Sequence, residues 1–405
     1  MFQSAGLAKI AETLRSPNYG SYVIGNGISL VGNWMQRIAV GWLAWELTGS
    51  PLWLGIIAFA DLFPTVLIGP IGGAIADRHN RLRLMQITQG FSCLQAATLF
   101  TLSVSGQMDI LYLVWLSLFL GVVTALNQPA RLALIPSLIE PRNLNSAIAI
   151  NSVIFNLARF IGPAIAGVFI ASGLVSWLFA LNAFSFMIFL ITLLRLQLNV
   201  PAAPPRKRKS FSADLMDGIA YAVRDKNISV QLLLLLIIGL GARPLVELLP
   251  GISSAVFSGG PQTLALLTSS FGAGAILGGL WLAGRNSKHD LFGIVIAASF
   301  ILAAALLVFV SASSLTVAVP GVVVLGLSMV ITGSGIQTLL QLNVDAEMRG
   351  RVLSLYGLIM RGGPAIGALT MGWMAESVGL RWPLAGGAVL VALAALAITM
   401  RGKRQ

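Results

Sequence analysis

Residues 72–85 read GGAIADRHNRLRLM and connect two long apolar stretches of the chain. The segment places one acid and three arginines close together: Asp77, Arg78, Arg81 and Arg83. The flanking stretches, at about 52–76 and 84–105, are each long enough to cross a bilayer as a helix, which takes about 20 apolar residues. A charged segment this short between two such stretches predicts a tight turn at one surface of a membrane.

The composition of the whole chain also indicates a lipid environment. Of its 405 residues 57% are hydrophobic and 10% are charged, whereas about 25% of the residues of soluble domains are charged. The predicted fold class is therefore an all-α integral membrane protein with twelve transmembrane helices, which are numbered from first to twelfth below. The hydropathy pattern predicts these spans at about 20–47, 52–76, 84–105, 110–134, 146–171, 174–197, 228–251, 262–284, 290–311, 315–340, 351–376 and 379–400.

The net charge of +12 is distributed unevenly between alternate connections. Basic residues concentrate at both ends of the chain and in every second connection, including the run RKRK at 206–209. The other connections, near residues 49, 107, 173, 257, 313 and 378, contain Arg381 as their only basic residue. By the positive-inside rule the chain is predicted to lie in the cell (inner) membrane with both termini cytoplasmic. The basic charge thus indicates orientation in a bilayer, and no nucleic acid is expected as a partner.

The residue types that support catalysis or metal binding are sparse. The single cysteine, Cys93, excludes an intrachain disulfide and is interpreted as a small apolar residue of the third span. The sequence shows no nucleotide-binding loop, no Cys/His spacing typical of a metal site and no nucleophile paired with a histidine. We therefore expect no enzyme activity, no metal and no cofactor.

A polar segment at 200–226 divides the chain. Its proline pairs and basic run predict a cytoplasmic linker between an N-terminal six-helix half, 1–199, and a C-terminal six-helix half, 227–405. Phe211, Leu215, Ile219 and Ala222 recur at helical spacing, which predicts a short amphipathic helix at the membrane surface. A lipid-binding switch in the linker is an open alternative.

The tetrapeptide GPAI begins at residue 162 and again at residue 363. A shift of 201 positions superposes the two copies and places the fifth span on the eleventh, so the halves are interpreted as duplicates. Small residues allow close helix packing and proline bends a helix, which predicts a hinge at Gly162, Pro163, Gly363 and Pro364. Two repeats with a site near the middle of the bilayer are typical of transporters.

The segment at 72–85 resembles the signature G-x-x-x-D-R-x-G-R-[RK]-[RK] of the major facilitator superfamily. Asn80 replaces the second glycine, and asparagine tolerates a left-handed backbone; Leu82 replaces a basic residue. The resemblance implies that Asp77 lies against the N-terminus of the eleventh helix and holds the cytoplasmic side closed. A basic loop that serves only orientation is the alternative. The matching residues of this gating motif are Gly73, Asp77, Arg78, Arg81 and Arg83.

Five further segments are similar to the branch of this superfamily that contains the enterobactin exporter and the transmembrane secretion effectors. They lie at 34–55, 127–139, 147–167, 243–251 and 349–369. This resemblance implies a transporter fold and favours export over import. The fifth span also follows part of the antiporter motif of drug-efflux relatives, with alanine at three of its glycine positions, although generic helix packing explains the same pattern.

Charged residues inside hydrocarbon are costly and indicate function. Six lie inside the predicted spans at least four residues from the nearest end, and Glu46 lies near an outer end; the six are Arg37, Asp61, Arg159, Arg243, Glu247 and Arg361. Polar stripes on several helices predict a water-accessible central cavity, although interhelical hydrogen bonds explain single Ser or Asn residues equally well, and Arg243 and Glu247 could form a structural ion pair. The cavity candidates are Asn26, Asn33, Arg37, Asn156, Arg159, Arg243 and Arg361.

Asp61 and Glu247 are the candidates for proton coupling. A carboxylate moved out of water retains its proton at higher pH, as a proton carrier near neutral pH requires. Four arginines against these two acids leave the predicted cavity with a charge of 4 − 2 = +2, which favours an anionic or polyphenolic cargo over a cationic drug.

The sequence therefore predicts a secondary active transporter that exports a small molecule by alternating access. The cargo would be a siderophore-like, anionic or amphipathic metabolite or a drug, and proton antiport would use the proton gradient as the energy source. Its expected partners are the small-molecule substrate and the lipid bilayer, and we expect a monomer. The alternatives are a facilitator or importer of the same fold, and a membrane scaffold or sensor that does not transport.

Overall fold

The computed structural model describes residues 10, 12–196, 211–284 and 290–402 of the chain, and within these ranges it contains helices and no strand. The long helices lie at positions consistent with the predicted crossings, and the all-α membrane fold class is confirmed. They are Pro17–Thr48, Pro51–Arg78, Arg81–Val104, Ile110–Leu138, Leu144–Ala171, Val175–Arg195, Lys226–Val256, Pro261–Ala283, Leu291–Ser311, Leu315–Asn343, Arg349–Val378 and Arg381–Gly402.

Ten of the helices in the described ranges are long and apolar enough to cross a membrane. The first and third helices have the length but are more polar, and their polar side chains bond to one another inside the protein. Nε2 of Gln36 donates to Oε1 of Gln95 at 3.0 Å, and Nδ2 of Asn182 donates to Oε1 of Gln36 at 2.8 Å. These buried bonds join the first, third and sixth helices, so the amides replace the water that lipid does not supply.

The chain forms two compact units, one comprising Met1–Val40 and Leu67–Arg206 and the other comprising Gly41–Val66 and Lys207–Gln405. The first contains the third to sixth helices, and the second contains the seventh to twelfth helices. The first and second helices each contribute to both units. The predicted halves, 1–199 and 227–405, describe a duplication of the sequence and stay a prediction.

A close crossing of two helices explains why residues 41–66 belong to the second unit. A Cβ atom added to Gly55 of the second helix would stand 2.5 Å from the carbonyl oxygen of Ala368 in the eleventh helix. A Cβ atom on Gly372 would stand 2.5 Å from the carbonyl oxygen of Pro51. The two backbones are therefore in direct contact, which only glycine permits at these positions.

The carboxylate of Glu376 strengthens the same crossing. It accepts hydrogen bonds from the backbone N–H of Leu52, at 3.1 Å, and from the hydroxyl of Ser50. These groups lie at the N-terminus of the helix that begins at Pro51, where backbone N–H groups lack partners within the helix and favour a negative charge. An acid of the eleventh helix thus caps the second helix.

Two helices are interrupted, which the hydropathy pattern did not predict. The second consists of Pro51–Leu62 and Pro64–Arg78, separated at Phe63. The seventh, predicted as one span at 228–251, consists of Lys226–Gly241 and Leu245–Gly251 followed by a π-helical turn at Ile252–Val256. Pro64 and Pro244 lack the backbone N–H that would continue the preceding helix, so each break coincides with a proline.

The linker contains a helix at Phe211–Arg224 that packs on the second unit. Asp217 pairs with Arg351 at 3.3 Å, and the hydroxyl of Tyr221 donates to Asp345 at 2.9 Å. A separate face of this helix carries the exposed apolar side chains of Met216, Ile219 and Val223. Such a face is typical of an amphipathic helix at a membrane surface. Residues 200–210 with the predicted basic run, and the predicted cytoplasmic ends at 1–9 and 403–405, lie outside the described ranges.

The glycine crossing makes a testable stability prediction. In Gly55→Ala the new methyl group would collide with the eleventh helix, and we expect the free energy of unfolding to fall by about 1–3 kcal/mol. Gly357→Ala is the matched control, because a Cβ atom there meets nothing within 4 Å. Both variants are compared with the parent protein by unfolding in detergent. Equal stability of Gly55→Ala and the parent would show that the helices do not touch at this point.

Candidate functional site

The gating motif forms the predicted turn between the second and third helices. The second helix ends at Arg78 with Asp77 exposed, and the third begins at Arg81. Asn80 has φ −64° and ψ 113°, and its side-chain oxygen accepts from the N–H of Arg83 at 3.1 Å. The expected left-handed backbone at Asn80 is therefore wrong, because Asn80 is an extended N-cap of the third helix. The contact of Asp77 with the eleventh helix stays a prediction.

Gly72, which precedes this motif, and Arg81, which belongs to it, contact the neighbouring fourth helix. A Cβ atom on Gly72 would stand 2.5 Å from the carbonyl oxygen of Ala125, whereas one on Gly73 would meet nothing within 4 Å. The second and fourth helices thus approach closely at Gly72 and not at Gly73. Nη1 of Arg81 donates to the carbonyl oxygen of Ala133 at 3.1 Å, which also joins the turn to the fourth helix.

Two of the predicted cavity arginines meet at one tryptophan in the first unit. The guanidinium carbon of Arg37 lies 5.7 Å from the ring centroid of Trp34, and that of Arg159 lies 5.5 Å from the same ring. Trp34 and Arg37 belong to the first helix and Arg159 to the fifth. Phe155 packs edge-on against Trp34, with ring centroids 6.2 Å apart. Trp34, Arg37 and Arg159 are called the arginine–tryptophan cluster below.

The first GPAI motif sets the distance between the helices that carry the cluster. A Cβ atom on Gly162 would stand 2.5 Å from Cβ of Trp34 and 3.0 Å from the carbonyl oxygen of Val31. The fifth helix continues through Pro163, which follows this contact. Because Gly162 lacks a side chain, the fifth helix lies directly against the first, and Arg159, one turn earlier, reaches the face of the indole.

The cluster is suited to an anionic ligand. A guanidinium over the face of an indole gains about 0.5–2 kcal/mol, yet two positive charges that share one ring also repel each other. All three side chains are partly exposed. A planar anion would add acceptors to guanidinium groups that the indole already orients.

The predicted polar residues beside this cluster have different environments. Asn33 is exposed, but Asn26 is 2% exposed and its Nδ2 lacks a hydrogen-bond acceptor in the described part of the chain. Nδ2 of Asn156 donates to the carbonyl oxygen of Ser152 in its own helix at 2.8 Å. In this conformation Asn33 and Asn156 are accessible, whereas Asn26 lies inside the first unit.

The remaining charged candidates lie in the second unit. Asp61 and Arg361 are partly exposed, as are Arg243 at the break of the seventh helix and Glu247 just after it. The second GPAI motif brings the eleventh helix onto the seventh, since a Cβ atom on Gly363 would stand 3.1 Å from Cα of Gly239. Pro364 lies within an unbroken helix. Each of the six charged residues predicted inside the spans is thus partly accessible.

Sequence reasoning missed several residues at these sites. Trp34 was one aromatic residue among many in an apolar span, and its two arginines are separated from each other by 159 − 37 = 122 positions. Tyr356, whose hydroxyl donates to the carbonyl oxygen of Gly333 at 3.2 Å, and the capping acid Glu376 also carried no sequence signal. Among the described residues, no group of three or more His, Cys, Asp or Glu side chains could hold a metal ion.

The contact at Gly162 can be tested directly. In Gly162→Ala the added methyl group would displace Trp34, so we expect the unfolding temperature to fall and the fluorescence contribution of Trp34 to change. That contribution is obtained by subtracting the spectrum of the matching Trp34→Phe variant. Gly90→Ala is the control, because a Cβ atom at residue 90 meets nothing within 4 Å. An unchanged Trp34 spectrum in Gly162→Ala would contradict the packing described here.

Solved structures of distant proteins share the fold. The nucleoside transporter NupG superposes with a TM-score of 0.73 at 12% identity and covers 95% of this chain and 98% of its own. A bacterial homologue of the iron transporter ferroportin, in an inward-facing state, gives a TM-score of 0.73 at 15% identity and covers 94% and 98%. At such identities these similarities establish the architecture and carry no conclusion about cargo.

Characterised relatives match most or part of the chain. The staphyloferrin A transporter of Staphylococcus aureus is 27% identical over 86% of this chain and 87% of its own. Macrolide efflux protein A of Streptococcus pyogenes is 25% identical over 91% and 92%. The enterobactin exporter EntS of Citrobacter koseri is 29% identical over 44% and 42%.

The family assignment covers nearly the whole sequence. The family model described as transmembrane secretion effector matches residues 11–403. The predicted resemblance to the major facilitator superfamily and this branch is confirmed, as is the prediction of a transporter instead of an enzyme. The chain is a multi-pass membrane transporter of the major facilitator type and belongs to the family of transmembrane secretion effectors.

Proposed function

We propose that this protein exports a small anionic molecule by alternating access, with protons moving in the opposite direction. The arginine–tryptophan cluster would bind the cargo from the cytoplasm, and both ends of the chain would lie on that side. The proposal includes a monomer as the working unit, because two repeats within one chain supply both halves of a transport pathway.

The observation that carries this proposal is the position of Arg37 and Arg159 on one indole, 5.7 and 5.5 Å from its centre. A structural role alone would not require two accessible guanidinium groups inside membrane spans, where charge is costly. Cationic faces and an aromatic surface together suit a cargo that has a negative charge beside a planar group. The relatives named for staphyloferrin A and enterobactin make these molecules suitable first probes.

Asp61 and Glu247 are proposed as the proton carriers. Asp61 lies in the last turn of Pro51–Leu62, just before the interruption at Phe63, and Glu247 lies in the first turn of Leu245–Gly251, just after the other interruption. Both acids are partly exposed. Irregular backbone at membrane depth is tolerated where it is buried in protein or lines an aqueous cavity, so these positions favour contact with water and exchange of a proton.

Transport by the arginine variants tests the cargo site. We expect Arg159→Gln and Arg37→Gln each to lower export into proteoliposomes about tenfold or more, because a lost charge-assisted hydrogen bond costs about 1.5–3 kcal/mol. Arg195→Gln, which removes an exposed arginine from the end of the sixth helix, is the control. Cargo is first identified by comparing the metabolites that cells release with and without the gene.

The same vesicles distinguish the alternatives. An imposed pH gradient should accelerate export by the parent protein, and Asp61→Asn or Glu247→Gln should abolish that acceleration. An export rate that is the same with and without the pH gradient would contradict proton coupling and favour a facilitator. If no released metabolite moves at all while all variants are folded, the chain would instead be a scaffold or sensor.

A further inference from the structure

The interruption of the seventh helix exposes an unusual arginine in the second unit. The N–H groups of Ala242 and Arg243 both donate to the carbonyl oxygen of Ile238, at 2.9 and 3.1 Å, and Pro244 has no N–H to extend the helix. The chain resumes helical geometry at Leu245. Arg243 therefore projects from a short irregular segment between two helical pieces, an arrangement that transporters use at ligand and ion sites.

The guanidinium of Arg243 lies against the tenth helix. Its Nη2 is 2.9 Å from the point where a Cβ atom of Gly333 would stand. The carbonyl oxygen of Gly333 is already bonded to the hydroxyl of Tyr356, which is a buried residue of the eleventh helix. The seventh, tenth and eleventh helices thus converge here, and the absent side chain at Gly333 makes room for the arginine.

The Nε atom of Arg243 is the group that indicates a ligand. It is buried and has no hydrogen-bond acceptor in the described part of the chain, while the residue as a whole is partly exposed. A buried donor on a charged group is costly when it lacks an acceptor, so such a group calls for a functional explanation. The Nε and Nη edge of a guanidinium presents two parallel N–H groups, spaced to match the two oxygens of a carboxylate.

We infer that Arg243, at the break of the seventh helix and beside Gly333 and Tyr356, forms a carboxylate-binding site in the second unit. The carboxylate would accept hydrogen bonds from Nε and one Nη of Arg243 once a rotation of the arginine side chain brings the enclosed Nε to the ligand. The identification of this carboxylate as part of the exported cargo rests on the proposed function. Carboxylate binding at the site is independent of that function.

Anion binding to the purified full-length protein tests the inference. Sodium benzoate is titrated against sodium chloride at constant ionic strength, and the unfolding temperature is followed in detergent. Because the arginine–tryptophan cluster also attracts anions, the parent for this test carries Arg37→Gln and Arg159→Gln. We expect a saturable rise in its unfolding temperature, with the half-saturating benzoate concentration raised about tenfold or more by Arg243→Gln or Gly333→Ala.

Two further variants keep the test decisive. Arg243→Lys keeps the charge but loses the paired donors and should bind as weakly as Arg243→Gln, whereas Gly357→Ala, where a Cβ atom meets nothing within 4 Å, should bind like the parent. Benzoate binding that is independent of residue 243 would overturn the site. Inorganic phosphate acting through Arg243 as strongly as benzoate would overturn the carboxylate assignment.

Transport separates the two proposals. If benzoate binding depends on Arg243 while no cargo moves in proteoliposomes, the proposed function fails and the site stands. If cargo export proceeds but neither export nor benzoate binding depends on Arg243, the site fails and the proposed function stands.

Discussion

The absence of water from the hydrocarbon is the constraint on which the rest of this structure depends. Every polar group within a span must find a partner in the protein or reach an aqueous space. The amides of Gln36, Gln95 and Asn182 satisfy one another inside the first unit. The six charged residues predicted inside the spans are each partly exposed.

The two copies of the GPAI motif make different glycine contacts. Gly162 brings the fifth helix onto Trp34 of the first, and Gly363 brings the eleventh onto Gly239 of the seventh. The contacts themselves differ, since one places the first helix, with Trp34, against Gly162 and the other joins two glycines. Arg159 and Arg361 are offset by one residue relative to the repeat, which turns them about 100° apart on their helices.

Much of the fold was predictable because lipid imposes length and apolarity on every crossing. The first helix was expected at about 20–47 and spans Pro17–Thr48, and the tenth was expected at about 315–340 and spans Leu315–Asn343. The breaks at Phe63 and at residues 242–244 were not predicted. A proline in an apolar span can bend or break the helix, or the helix can continue through it, and the neighbouring residues decide which occurs. Asn80 was assigned the wrong backbone since both an N-cap and a left-handed turn favour asparagine.

The candidate site was predictable in its charges and not in its geometry. Intramembrane arginines stand out in any hydropathy pattern, and Arg37, Arg159 and Arg243 were identified in this way. Their neighbours were not, because Trp34, Gly333 and Tyr356 are ordinary residues for a membrane helix. The grouping of residues 41–66 with the second unit likewise depends on Gly55 and Gly372, which lie 372 − 55 = 317 positions apart and carry no joint signal in one sequence.

We expect the charged side chains of the spans to face an aqueous space, and labelling of single cysteines tests this expectation. In a Cys93→Ser background, cysteine is introduced in turn at Arg37, Asp61, Arg159 and Glu247, and at the buried Ala158 as the control. A small, charged thiol reagent is applied to membranes open on both sides. The account predicts labelling at the four charged positions and none at residue 158. If all four cysteines resist the reagent as residue 158 does, the charges are structural and the account is wrong.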